Sequence, residues 1–209
     1  MASVNDKKDN RKDDNDTQMP GTLGGRRRRL ILAAFHECII EQGYAKTTLR
    51  DVAKRAGMTA SHLLYYFPGK DAILERFFEN VSQTIIERLE SFTSKPPHRQ
   101  IELLAELFFA GKGITRSEIG FMLECFGVAV HDRKLRDHKK RLDHYCKNYL
   151  VNLFMQAPGG HGTPEDAAEI GYSLLIGLRT AAYFDRRLKL KRAQRLFYDE
   201  LRNLAGFSA

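Results

Sequence analysis

Cysteine is scarce and unpatterned in this chain. Its 209 residues hold three, Cys38, Cys125 and Cys146, and no C-x-x-C pair. That excludes a disulfide framework and a zinc ribbon and fits thiols kept reduced in a cytoplasm. Long apolar runs are missing too: the longest, Ile119 to Val130, is broken by Glu124 and falls far short of the roughly 20 residues of a membrane-crossing helix. Arg26 to Arg29 followed by Leu30-Ile31-Leu32 has the outline of a secretion signal, but His36 and Glu37 end the apolar stretch and no small-residue cleavage site follows, so export is not expected. No run alternates apolar and polar residues, which leaves no strand to predict, and no internal repeat is visible. There is also no glycine-rich phosphate loop, no nucleophile motif and no spaced carboxylate pair in an apolar setting, so neither an enzyme nor a cofactor is expected. His131, Asp132, His138, His144 and Cys146 crowd one region. His138 and His144 are six apart, however, not the i, i+4 spacing that puts two ligands on one helical face, so no metal is expected.

What the chain does have is positive charge in one place. Lys plus Arg number 34 against 26 Asp plus Glu, a net charge of +8. Residues 26–70 carry nine basic residues against Glu37, Glu41 and Asp51, a balance of +6 in less than a quarter of the length. An anionic partner is the first expectation. Residues 1–25 mix charges of both signs with almost no large apolar group, the composition of a disordered tail.

From there the hydrophobic pattern is helical throughout, so the expected fold is all-α. Ile31, Phe35, Cys38 and Ile39 share one face of a helix over about 27–42, ended by Gly43 as a left-handed cap. Thr48-Leu49-Arg50-Asp51 reads as a capping box that opens a short helix with Leu49, Val52, Ala53 and Ala56 on one side. Gly57 permits a sharp turn, Thr59 caps a third short helix, and Pro68 stops it. Leu74, Phe77, Phe78, Val81, Ile85 and Leu89 mark a long helix over 70–92, closed by Pro96-Pro97. Further helices are predicted over about 99–110, 116–131, 134–155, 164–184 and 190–205, with a flexible loop at 157–162 and Thr163-Pro164-Glu165-Asp166 opening the penultimate helix.

Two helices of about eight residues joined through Ala56-Gly57-Met58 and followed by a long helix make a helix-turn-helix arrangement, whose second helix can enter a major groove about 12 Å wide. The run Thr47-Thr48-Leu49-Arg50-Asp51-Val52-Ala53-Lys54-Arg55-Ala56-Gly57-Met58-Thr59, then Leu63, then Tyr65-Tyr66-Phe67-Pro68-Gly69-Lys70 resembles the signature of the tetracycline-repressor (TetR) family. The likeness covers about 28–75. It implies an N-terminal three-helix DNA-binding domain at 26–70, joined by a long helix to a ligand-binding and dimerisation domain at 71–209. It also implies phosphate contacts from Lys70 and from the helix start at Thr48. Thr59, Ala60, Ser61 and His62 are short enough to let the recognition helix approach the bases, with His62 as the base-edge reader. Leu64 stands where the family usually has a tyrosine that touches phosphate, which brings Tyr65 or Tyr66 forward for that contact. Arg26, Arg27, Arg28 and Arg29 precede the first helix as an arm along the backbone or in the minor groove.

The expected function is a homodimeric, cytoplasmic, ligand-responsive regulator, a repressor released from a palindromic double-stranded DNA operator by a small-molecule inducer. The candidate pocket is lined by Phe78, Val81, Ile85, Phe108, Phe121, Tyr145, Tyr149 and Tyr172. Two lone charges, Glu124 and Arg179, pair with each other or face solvent, or else one of them holds the polar end of a largely apolar ligand. The expected dimer interface uses the last two helices through Ala167, Gly171, Leu174, Ala181, Leu190, Phe197, Leu201 and Leu204. Two other readings remain open. A constitutive or architectural DNA-binding factor would have a filled core in place of a pocket, and an all-helical metal-binding or catalytic protein would bind no DNA site despite its basic patch.

Overall fold

A computed structural model describes residues 23–111, 115–159 and 162–207. Its described residues form nine helices and no strand. These are α1 (Leu23–Gln42), α2 (Leu49–Arg55), α3 (Ala60–Tyr66), α4 (Lys70–Phe92), α5 (Pro97–Phe109), α6 (Arg116–Ala129), α7 (Arg133–Gln156), α8 (Pro164–Phe184) and α9 (Leu190–Leu204). Residues 1–22 of the expected tail, and Gly160 and His161 of the expected loop, lie outside the described residues.

The local signals act where the residues place them. Gly43 ends α1 at φ 81. Thr48 accepts from the Asp51 amide while the Asp51 carboxylate accepts from the Thr48 amide at 2.9 Å, a complete capping box. Two reciprocal bonds close α2, Met58 N–H to the Ala53 carbonyl at 2.9 Å and Gly57 N–H to that of Lys54 at 3.2 Å, with Gly57 at φ 67. This is the Schellman arrangement. Thr59 then accepts from the His62 amide at 3.1 Å and starts α3. A Cβ at Gly57 would meet nothing within 4 Å, so its cost is backbone strain alone. Gly57→Ala is expected to lower unfolding stability by about 1–2 kcal/mol, read as a shift in the chemical-denaturation midpoint.

The chain divides into two compact units, up to Leu74 and from Glu75 onward. In the first, Ile31, Phe35, Val52, Leu63 and Ile73 are fully buried. The division falls four residues later than the boundary expected at 70, because Ile73 and Leu74 at the start of α4 are both 0% exposed. The first helix also departs from expectation. It already includes Leu23, so Arg26 to Arg29 lie inside its opening turns and do not form an arm before it. Arginine is a good helix former, and the Arg28 guanidinium stacks 5.1 Å from the centre of the Phe67 ring, which holds those turns against the end of α3.

In the second unit α7 and α8 pack side by side, and α9 lies across α5 and α8. Ile101, Leu104, Leu150, Leu153, Phe197 and Leu201 form the centre of its core. Here the expected interface is corrected. Ala167, Gly171, Phe197 and Leu201 are buried inside the subunit, and Leu190 and Leu204 pack partly buried against the same core. The α9 stripe faces inward because α8 accommodates it: a Cβ at Gly171 would stand 2.8 Å from Leu201 Cδ2. Leu174 packs partly buried against that core as well, and of the eight candidates Ala181 alone is exposed.

Among the described residues no helix is long and apolar enough to cross a membrane. All three cysteines are free and buried. Burial pushes the thiols of Cys125 and Cys146 up to about 12, which keeps them protonated and unreactive.

Candidate nucleic-acid interface

Helix α3 is seven residues long, and one side chain fixes its orientation. Leu63 is fully buried, so at 100° per residue its neighbours turn outward: Ser61, His62, Leu64 and Tyr65 are exposed, and Ala60 and Tyr66 are half-buried. Tyr65 is 66% exposed and Leu64 47%. The aromatic groups support one another, with Tyr66 lying 5.3 Å from the His62 ring and 5.1 Å, edge-on, from that of Tyr65. The helix thus displays a hydroxyl, an imidazole, a methyl-rich side chain and a phenol, which between them can donate to, accept from and pack against base edges and phosphates.

Around it the structure assigns the other candidates. Thr48 is exposed, but its amide and hydroxyl both donate to Asp51, at 2.9 and 2.6 Å, so its own part in the fold is capping. Those bonds hold the Asp51 carboxyl below the usual carboxylate range. Lys70 is half-buried: its Nζ donates to the Tyr44 carbonyl at 2.8 Å and lies 4.1 Å from the centre of the Tyr44 ring. The Tyr44 hydroxyl in turn donates to Asp71, and its ring meets Phe35 edge-on. Lys70 therefore fastens the start of α4 to the loop after α1. Arg26 and Arg29 are exposed, Arg27 and Arg28 half-buried. Lys46, Arg50 and Lys54 are further exposed cations of this unit that the sequence signalled only through net charge. Arg55 is instead taken up by a forked pair with Glu41 and a 3.5 Å contact with Glu37, joining α2 to α1.

In the second unit the ten pocket candidates do not form one group. Phe108, Tyr149 and Tyr172 are buried in the main core, with Ile85 and Tyr145 packed partly buried against it. Phe121 meets Phe77 at a tilt of 60° with ring centres 4.7 Å apart, and Phe78 is buried. Val81 is 41% exposed, a correction: Phe78, Ile85 and Leu89 fall within about 20° of one line along α4, and Val81 lies about 60° off it. Glu124 is exposed and so is not a buried acid awaiting a ligand. Arg179 has a buried Nε without a hydrogen-bond partner. Burial pulls its pKa down while the charge of Glu118, not of Glu124, opposes that shift. The phenols are tied up. Tyr149 donates to Gln100 Oε1 at 2.6 Å, Tyr172 to Asp143, and Tyr145 to Glu90 at 3.2 Å. Asp143 also holds the Lys139 ammonium at 2.6 Å, which sits 4.5 Å from the centre of the Phe126 ring. An open groove of about 760 Å³ runs between α5 and α9, lined by Glu102, Glu106, Lys189, Arg192, Arg195 and Tyr198 among others. None of the ten candidates lines it.

Comparison with known proteins follows the same division. Residues 31–77 match the family described as bacterial regulatory proteins, tetR family. Residues 97–206 match the BetI-type transcriptional repressor, C-terminal. The HTH-type transcriptional regulator BetI 1 of Chromohalobacter salexigens is 24% identical over 177 residues, covering 83% of this chain and 87% of that protein. A transcriptional regulator from Rhodococcus sp. Rha1 superposes with a TM-score of 0.76 at 16% identity, over 87% of this chain and 98% of its own. A transcriptional regulator from Saccharomonospora viridis, solved in complex with choline, superposes at 0.72 with 20% identity over 84% and 95%. At these identities the structural likeness speaks for the fold.

Proposed function

Since the chain belongs to the TetR family of bacterial regulatory proteins, we propose that it is a cytoplasmic repressor that grips a two-fold symmetric operator as a homodimer and releases it when a small molecule occupies its C-terminal unit. The observation that carries the reading is α3: a capped helix, anchored by Leu63, that turns Ser61, His62, Leu64 and Tyr65 outward from a segment of net charge +6. His62 reads a base edge, and Tyr65 makes the phosphate contact that Leu64 does not offer. Lys70 has N–H groups left beside its bond to Tyr44 for a phosphate of its own. Arg26 and Arg29 follow the backbone from within α1.

A dimer supplies the two reading helices about 34–36 Å apart that successive major grooves require. The surface for it is on α8, where Ile170, Leu174, Gly177, Ala181 and Phe184 recur at steps of four and three along one line. Ile170 is 51% and Phe184 71% exposed. For the effector we propose a methylated ammonium compound such as choline, which takes the place of the Lys139 ammonium at Asp143, beside the Tyr172 phenol that donates to the same carboxylate. Phenol faces and a carboxylate suit such a head, and Asp143 already holds an ammonium, that of Lys139. Because α4 is continuous from Lys70 to Phe92, a change in its packing in the C-terminal unit reaches the DNA-binding unit, and linkage requires operator and effector to weaken each other equally.

Selection of bound fragments from random DNA tests this. A palindrome is expected, and His62→Ala should change the preferred base at one position of each half-site, a contact worth about 1–3 kcal/mol. No enriched sequence would overturn the regulator reading, and an unaltered preference in the variant would remove His62 as reader. If choline leaves affinity for the selected operator unchanged, the effector class is wrong and the DNA reading stands.

A further inference from the structure

Glu75 and Glu79 are four apart on α4, so their carboxylates rise from one helical face. Helix α7 brings His138 against them. Its Nε2 lies 3.6 Å from Oε1 of Glu75 and 3.6 Å from Oε1 of Glu79, and the three ligand atoms lie within 4.8 Å of one another. All three residues are half-buried. The outer atoms of each group have surface cations beside them. Glu75 Oε2 faces Lys134 at 3.7 Å, Glu79 Oε2 faces Arg76 at 3.2 Å, and His138 Nδ1 meets Arg141 at 2.9 Å. Each group thus turns one donor atom inward toward the other two.

At 3.6 Å a protonated imidazole can pair with each carboxylate through charge but makes a short hydrogen bond to neither, and two converging carboxylates favour a cation held between them. A metal ion fits better. Ligand bonds of about 2.0–2.2 Å put neighbouring ligand atoms of a tetrahedral shell about 3.3–3.6 Å apart, which is the spacing found from His138 to each carboxylate. Imidazole with two carboxylates, and no thiolate, is a donor set for divalent first-row ions.

We propose that Glu75, Glu79 and His138 bind one divalent transition-metal ion, with Zn²⁺ as the probe and water completing the shell, and that the ion pins the Glu75–Glu79 turn of α4 to α7. Bound there, it acts as a second effector of DNA affinity, because Glu75 follows directly on Leu74, where the DNA-binding unit ends. This regulatory half rests on the operator-binding function proposed above; the metal site does not. Binding requires the imidazole to present Nε2 as a lone pair, so Nδ1 takes the proton and the exposed Arg141 side chain swings away.

The test is calorimetric titration of tag-free, chelator-treated full-length protein with Zn²⁺, in parallel with His138→Gln and Glu79→Gln. Wild type is expected to take up one ion per subunit, with affinity falling at least about tenfold in either variant. Thermal midpoints without metal, compared across the three proteins, show that the variants are folded, and only wild type should gain stability on adding Zn²⁺. Absence of a one-per-subunit event, or equal affinity in folded variants, overturns the site. Wild-type affinity for the selected operator is then expected to change several-fold with Zn²⁺ and to stay constant in Glu79→Gln. Metal uptake with unchanged operator affinity overturns the regulatory half. Metal uptake by a protein that selects no DNA at all counts against the operator-binding function and not against the site.

Discussion

Leu201→Ala is expected to destabilise the folded subunit by about 2–5 kcal/mol, a large part of the roughly 5–15 kcal/mol that holds a domain together, while leaving the surface on α8 untouched. Leu201 is 0% exposed, and its Cδ2 lies 2.8 Å from the place a Cβ at Gly171 would occupy. Removing the isopropyl group opens a cavity between α8 and α9 that the helix backbones cannot close. Gly171→Ala alone should also destabilise, because the new methyl group meets Leu201. In the Leu201→Ala background the same methyl group enters the cavity and should restore part of the loss, so the two changes are non-additive. Chemical denaturation of the four proteins reads both effects. A Leu201→Ala variant of unchanged midpoint that instead falls apart into monomers would return this residue to a subunit interface.

Gly177→Arg is expected to do the reverse, separating subunits without harming them. A Cβ at Gly177 meets nothing within 4 Å, and arginine is a better helix former than glycine by several tenths of a kcal/mol, so the subunit should be at least as stable. In the proposed dimer, though, Gly177 is the middle of the Ile170-to-Phe184 stripe, where a small residue lets two α8 helices approach closely. An arginine head there puts two like charges in an apolar contact. Light scattering at micromolar concentration should report a mass near the 23.9 kDa of one chain, with the helical circular dichroism of wild type. Operator affinity should fall by two orders of magnitude or more, since each subunit then holds one half-site alone. Retention of a dimer would rule out the α8 stripe.

Much of this was legible in the residues because it is local. The Thr48–Asp51 box, the left-handed turn at Gly57, the Thr59 cap and the Thr163-Pro164 start each concern atoms within a few residues of one another, and helices at 70–92 and 164–184 follow from apolar spacing and flanking breakers. The exposed face of α3 was legible only through the family likeness, which brought Ser61 and His62 forward; that Leu63 is buried and its neighbour Leu64 is not was decided by packing. Arg26 to Arg29 were misplaced because a run of arginines is compatible with an arm or with a helix, and it is contact with Phe67, about 40 residues on, that favours the helix.

The sequence alone determined which segments are helical, where most of them begin and end, the start of α1 excepted, and which end of the chain carries the charge for DNA, since hydrogen bonds between near neighbours and backbone sterics decide these. It could not say what covers an apolar face. Helix α8 is apolar on both sides, and only the packed structure shows that Ala167 and Gly171 receive α9 while Ile170, Gly177 and Phe184 are left outside. Nor could it bring Glu75 and Glu79 to His138, roughly 60 residues away, because a spacing rule applied within α7 cannot see ligands on α4. Tertiary packing decided both, because burial and electrostatic contact depend on distance in space, and beyond a few residues distance along the chain carries no information about it.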